Sequence, residues 1–191
     1  MKISKKLALV LCTMVTLSSL AGCGSKSDSE TPSSKTKKIA VIVKSTDAPY
    51  WQTVKKGAED EAEKSKIEMY FTGAAGGETD INGQVNLVET AINQQVDGIV
   101  LAPSDSTALA PVVDKAIEAG IPVVIIDSGI DTDKYISYAT TNNEDAAYKV
   151  GKELGKLTNG KGTVAILGFQ PGAGSNIARE DGFKRAIAEF P

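Results

Sequence analysis

Histidine is absent from all 191 residues, cysteine occurs twice, tryptophan once, and aromatic residues make up only 5% of the chain. Without histidine the commonest general base and the commonest metal ligand are missing, so Ser-His-Asp and Cys-His mechanisms are excluded for this span. Positive charge is in short supply as well. Lys and Arg number 21 against 24 Asp and Glu, a net charge of −3 at pH 7, so there is no field to gather a phosphate backbone and no nucleic acid is expected as a partner. What is present, 41% hydrophobic and 24% charged residues, is the composition of a folded chain with room for a sizeable core.

The longest apolar stretch lies at the N-terminus. Lys2, Lys5 and Lys6 form a positive n-region, and residues 7–17 a mostly apolar h-region. That run is shorter than the roughly 17–25 residues of a bilayer-spanning helix. It ends in Leu20-Ala21-Gly22-Cys23, which resembles the lipobox of bacterial lipoproteins. The resemblance implies a signal peptide over 1–22 and a diacylglyceryl group on Cys23. Cys12 would be discarded and Cys23 would carry lipid, leaving no thiol for a disulfide, a metal or a nucleophile. Residues 24–37 (GSKSDSETPSSKTK) are polar and Ser-rich, so 23–37 read as a flexible tether. Each buried acyl CH2 contributes about 0.8 kcal/mol, so two or three chains hold a protein on a membrane without a transmembrane helix.

From Lys38 onward β-rich runs alternate with helical periodicity. The runs are 39–43 (IAVIV), 67–71 (IEMYF), 98–102 (GIVLA) and 121–126 (IPVVII). Three are nearly continuous, as expected for parallel strands covered on both faces. Ile81, Val85, Val88 and Ile92 put one apolar stripe on a helix, and Leu109, Val112, Ala116, Ile117 and Ala119 do the same for the next. The pattern predicts an α/β fold with a doubly wound parallel sheet. After Ile126 the rhythm falters and restarts with 135–139 (YISYA), a helix through Ala146, Val150, Leu154 and Leu157, then 163–167 (TVAIL) and a last helix through Ile177, Phe183 and Ile187. A boundary near 139–143 divides an N-terminal lobe, 38–140, from a partial second lobe, 141–191. Counted with these two strands, the second unit buries too little to stand alone. The chain therefore reads as a fragment of a longer two-lobed protein.

In an open parallel sheet ligands collect beyond the carboxyl ends of the strands. The first strand is followed by Tyr50 and Trp51, adjacent aromatics that serve either as a hydrophobic lid or as a stacking surface for a ligand. After the fourth strand comes Asp127-Ser128-Gly129, where the carboxylate either caps a turn or accepts hydroxyl hydrogen bonds, up to two at once from a vicinal diol. Asn142 and Asn143 follow the fifth and suit an N-cap, a hinge or a ligand contact. Arg179, near the start of the last helix, is a ligand group or the partner of Glu180 or Asp181 in a surface salt bridge.

These positions carry a resemblance. Pro49-Tyr50-Trp51 with Gly57, Asp80 with Gln84, Val96-Asp97-Gly98-Ile99-Val100, Pro103 with Asp105, residues 119–124 ending in Asp127, Asn142-Asn143, and Arg179 with Gly182-Phe183 occur in this order and spacing. Over about 38–190 the sequence resembles the periplasmic sugar-binding proteins of ABC transporters, the group that includes ribose-binding proteins. The resemblance implies a two-lobed fold whose second lobe is incomplete in this chain, a non-enzymatic receptor without cofactor or metal, and a monomer. It implies a small sugar or polyol as ligand, a membrane permease as partner, and lipid anchoring through Cys23 at the cell envelope, on the outer side of the cytoplasmic membrane or in the periplasm. The implied ligand residues are Tyr50, Trp51, Asp127, Asn143 and Arg179. Ser128 stands where ribose binders carry an Arg, and Ala48 replaces an Asn, which points away from ribose itself.

Other readings have weaker support. A Rossmann enzyme needs glycines after the first strand, where Lys44-Ser45-Thr46-Asp47 has none, and Gly172-Ala173-Gly174 lacks the third glycine. Gly155 to Lys161 spells most of a P-loop, yet Gly162 stands where Ser or Thr binds Mg. Asp131 and Asp133 lack the spacing of an EF-hand. A sugar-responsive repressor needs a basic helix-turn-helix in place of the export signal. A nucleoside, a signalling furanone or an inositol as ligand, or a sensory receptor as partner, fits the same sequence.

Overall fold

A computed structural model describes residues 36–191. The signal peptide expected over 1–22, the lipid attachment expected at Cys23 and nearly all of the expected tether lie outside the described residues. Five strands, β1 (Lys38–Val43), β2 (Glu68–Gly73), β3 (Gly98–Leu101), β4 (Val123–Ile126) and β5 (Ser137–Ala139), form one sheet in the order β2-β1-β3-β4-β5. All four pairings are parallel, with Val41 beside Phe71 and Val100, Leu101 beside Ile125, and Ile125 beside Tyr138.

Period-two alternation sends the strands' side chains to two cores. Ala40, Ile42, Ile99, Leu101, Val123 and Ile125 face one side, where α2 (Ile81–Asn93) and α3 (Ala110–Glu118) cover them with Val88, Ala91, Val112, Val113 and Ala116. Val41 and Val43 face the other, packed with Trp51, Val54 and Ala58 of α1 (Pro49–Ser65). Helices on both faces explain why β1, β3 and β4 read as continuous apolar runs, whereas β5 at the sheet edge is exposed.

Local sequence sets the helix ends. Pro49 stands at the start of α1, where a missing N–H costs nothing. Asp80 caps α2 by accepting from the Gly83 N–H at 2.9 Å. One turn inside, the fully buried Gln84 donates to the carbonyls of Val43 (3.3 Å) and Ala102 (2.9 Å) and accepts from the Ser104 N–H (2.8 Å). That one amide ties together the carboxyl ends of β1 and β3.

Two expectations need correction. Residues 135–139, counted among the second unit's strands although they fall inside 38–140, lie at the edge of the first sheet as β5, with Val124 registered on Ser137. Residues 163–167 form no strand, because a strand exists only against a neighbour and no ladder partner flanks them among the described residues; Ile166 is half-exposed and Leu167 fully so. Beyond β5 the chain forms α4 (Asn143–Leu157) and α5 (Gly174–Ile187), which pack closely because Gly182 lets the Glu144 carbonyl approach: a Cβ there would sit 2.0 Å from that oxygen.

Candidate ligand-binding site

The carboxyl ends of β1, β4 and β5 converge with the start of α5. At the end of β4 the chain turns on Asp127, whose φ of +63° is a conformation that non-glycine residues rarely take. The Ser128 N–H reaches back to the Ile126 carbonyl at 2.7 Å, closing a γ-turn of the strained, positive-φ kind around Asp127. The Asp127 N–H donates to Ala139 at 3.1 Å and its carbonyl accepts from Thr140 Oγ1 at 2.6 Å. Strain held by this many bonds at the end of a strand is a mark of a functional position.

The turn aims the Asp127 carboxylate at a buried cation. Lys44, the first residue past β1, places its Nζ 2.7 Å from Asp127 Oδ2 and donates to Ser128 Oγ at 2.5 Å. Ser128 is fully buried; its hydroxyl donates to Asp127 Oδ2 at 3.0 Å and lies 2.7 Å from the Ser175 hydroxyl of α5. With Ser175 as donor, Ser128 gives one hydrogen bond and accepts two, its full capacity. The residue that departs from the ribose pattern thus joins the first sheet to α5, and the cation beside Asp127 comes from Lys44.

The same contact continues along the loop before α5. The Ser106 N–H donates to the Gly172 carbonyl at 2.9 Å. A Cβ on Gly174 would meet the Gly129 backbone at 2.9 Å, and one on Gly172 would meet Asp105 Oδ2 at 1.8 Å. These two glycines allow the loop to seat on the strand ends.

Tyr50 and Trp51 point different ways, as successive helical residues must. Tyr50 is 57% exposed, and its hydroxyl donates to Asp127 Oδ1 at 3.3 Å. Burial, and then the neighbouring Asp127 charge, push its phenol above the usual tyrosine range. Trp51 is only 2% exposed, held in the core beneath with Nε1 donating to Glu78 Oε1 at 2.9 Å; its ring meets Tyr50 edge-on with centroids 4.8 Å apart. The open ring is therefore Tyr50, while Trp51 is almost wholly buried behind it.

The asparagines divide the alternatives left open for them. Asn142 caps α4, accepting from the Asp145 N–H at 3.1 Å. Asn143 is buried, donates to the Thr141 carbonyl at 3.0 Å, and accepts from Arg179 Nε at 2.8 Å. The alternative for Arg179, a surface salt bridge, does not form: Glu180 pairs with Lys184 at 2.9 Å, and no carboxylate pairs with Arg179 among the described residues. Its guanidinium lines the cleft beside Tyr50 and Asp127.

Four of the five predicted residues, Tyr50, Asp127, Asn143 and Arg179, line one cavity of about 420 Å³, within the roughly 300–1,000 Å³ of small-molecule pockets. A neighbouring cavity of about 270 Å³ adds Trp51, Lys44, Glu78, Phe169 and Ser175. Sequence reasoning missed these last four. Phe169 was within reach of the strand-end rule, since it follows the run 163–167; a lysine closing an apolar strand gives no sign that its ammonium will be buried.

The cleft lies at the carboxyl ends of a doubly wound sheet of the α/β class and is walled by carboxylate, guanidinium, amide and aromatic ring. The family is identified by its periplasmic binding protein domain, whose model matches residues 39–191, and the chain belongs to that family. The D-ribose/D-allose-binding protein of Pseudomonas aeruginosa is 32% identical over 158 residues, 78% of this chain and 49% of that protein. The ribose import binding protein of Bacillus subtilis is 32% identical over 149 residues, 76% of this chain and 47% of that protein. An ABC transporter solute-binding protein from Agrobacterium vitis, solved with bound D-fucose, superposes with a TM-score of 0.76 at 43% identity, covering 80% of this chain and 53% of that one. The chain spans about half the length of the curated relatives it matches.

Proposed function

We propose that this protein is an extracytoplasmic solute-binding lipoprotein of an ABC transporter, which captures a monosaccharide or related polyol and hands it to a membrane permease. The observation that carries the reading is the gathering of Tyr50, Asp127, Asn143 and Arg179 around one cavity. Hydroxyl groups need acceptors and donors at fixed positions, and the flat apolar face of a sugar needs a ring. Asp127 supplies the acceptor, Arg179 and Lys44 the donors, and Tyr50 the ring. Asn143 holds Arg179 in place from the crossover. Relatives that bind ribose, allose or xylitol support the ligand class. Trp51 backs the Tyr50 ring and fixes the floor through Glu78.

Ligand binding selects the arrangement in which both sheet and α5 contribute, because only there are all contacts made. Lipid on Cys23 keeps the receptor beside its permease, and the polar stretch after it gives the body reach. A thermal-shift screen of the full-length protein with D-ribose, D-allose, D-fucose, xylitol and nucleosides tests the assignment. A sugar or polyol is expected to raise the melting temperature. Stabilisation by a nucleoside alone would move the protein to another ligand class.

A further inference from the structure

The two cavities of the cleft meet at the same three residues, Tyr50, Asp127 and Arg179. On one side lie Thr140, Thr141 and Asn143; on the other Lys44, Trp51 and Glu78. The Tyr50 side chain, reaching across to Asp127, lies where they meet.

A carboxylate offers about four lone-pair sites. On Asp127, Oδ2 is taken by Lys44 and Ser128, and Oδ1 receives Tyr50. One site on Oδ1 remains, too few for the two hydroxyls of a diol. The three protein donors are not equivalent. Lys44 and Ser128 are buried and their bonds are 2.7 and 3.0 Å long. The Tyr50 bond, at 3.3 Å, is long for an O–H···O contact, whose usual length is about 2.7–2.8 Å, and its ring is exposed and has space to turn. An incoming hydroxyl therefore displaces Tyr50 first.

We propose that the Tyr50 hydroxyl is a built-in stand-in for a ligand hydroxyl: it occupies Asp127 Oδ1, stands between the two chambers, and leaves when ligand binds, joining them. The inference rests on the sugar-binding reading above and deepens it, making residue 50 a determinant of affinity through competition as well as through its ring. Burial and the Asp127 charge keep the phenol protonated, so it remains a donor throughout the neutral range.

Calorimetry on the full-length protein and its Tyr50→Phe and Tyr50→Ala variants, with D-ribose, D-allose, D-fucose and xylitol as probes, tests it. Removing the competing hydroxyl while keeping the ring should tighten Kd by about three- to tenfold, the scale of one modest hydrogen bond. Tyr50→Ala, which removes the ring as well, should bind more weakly than Tyr50→Phe. A probe that binds Tyr50→Phe but not the parent protein supports the stand-in in its strongest form. Equal or weaker binding by Tyr50→Phe overturns it and leaves the sugar reading intact. Failure of every probe on parent and variant alike overturns both.

Discussion

Replacing Lys44 by Met tests whether the site is built around a buried ion pair. The ammonium and the Asp127 carboxylate are 2.7 Å apart, with side-chain exposures of 6% and 16%. Removing one partner of a buried pair costs about 3–5 kcal/mol, because the other charge is left without compensation. Asp127 would keep its bonds from Ser128 and Tyr50 and some contact with water, which places the effect at the lower end, about 3 kcal/mol. For a protein of about 150–250 residues that corresponds to a fall of about 6–12 °C in melting temperature. Met fills most of the lysine's stem volume, so little of the loss comes from packing. The double variant Lys44→Met/Asp127→Asn removes both charges, keeps a side chain that tolerates positive φ, and should recover most of the loss. Urea denaturation of the parent, both single variants and the double gives the coupling directly. A Lys44→Met protein within about 0.5 kcal/mol of the parent, or a double variant no better than that single, would refute the reasoning.

Asp127→Gly and Asp127→Ala both lose the carboxylate and should both lose sugar binding by calorimetry. They should differ in stability, with Gly ahead by about 1 kcal/mol, because alanine carries the steric penalty of a positive φ and glycine does not; equal unfolding midpoints would argue against a strained turn. Cys23→Ser should move the protein from the membrane to the soluble fraction on cell fractionation, and retention in the membrane would remove the lipid anchor from the proposal.

The sheet was legible because its strands are covered on both faces. Continuous apolar runs at 39–43, 98–102 and 121–126 have few alternatives, and β1, β3 and β4 fall on them. The run 163–167 has the same character and failed, since composition expresses a preference for pairing but does not supply the neighbour. The site was legible in part. Tyr50, Asp127 and Asn143 stand at strand or helix ends, where position along the chain already limits what a side chain can face, and Arg179 lies in the second turn of α5. Which of Tyr50 and Trp51 turns inward depends on the angle at which α1 meets the sheet, a tertiary property. Lys44 and Ser128 escaped for a related reason: their chemistry arises from each other and from Asp127, across 84 positions for the Lys44 to Ser128 bond.

The indole beneath Tyr50 has one more consequence. Trp51 is the sole tryptophan of this chain; it packs into the core with Val41, Val43 and Ala102, while its Nε1–H bond to Glu78 and its contact with the Tyr50 ring reach the cleft. A change at the cleft floor therefore alters the emission of this chain under selective indole excitation, which makes the indole an intrinsic optical reporter that requires no label.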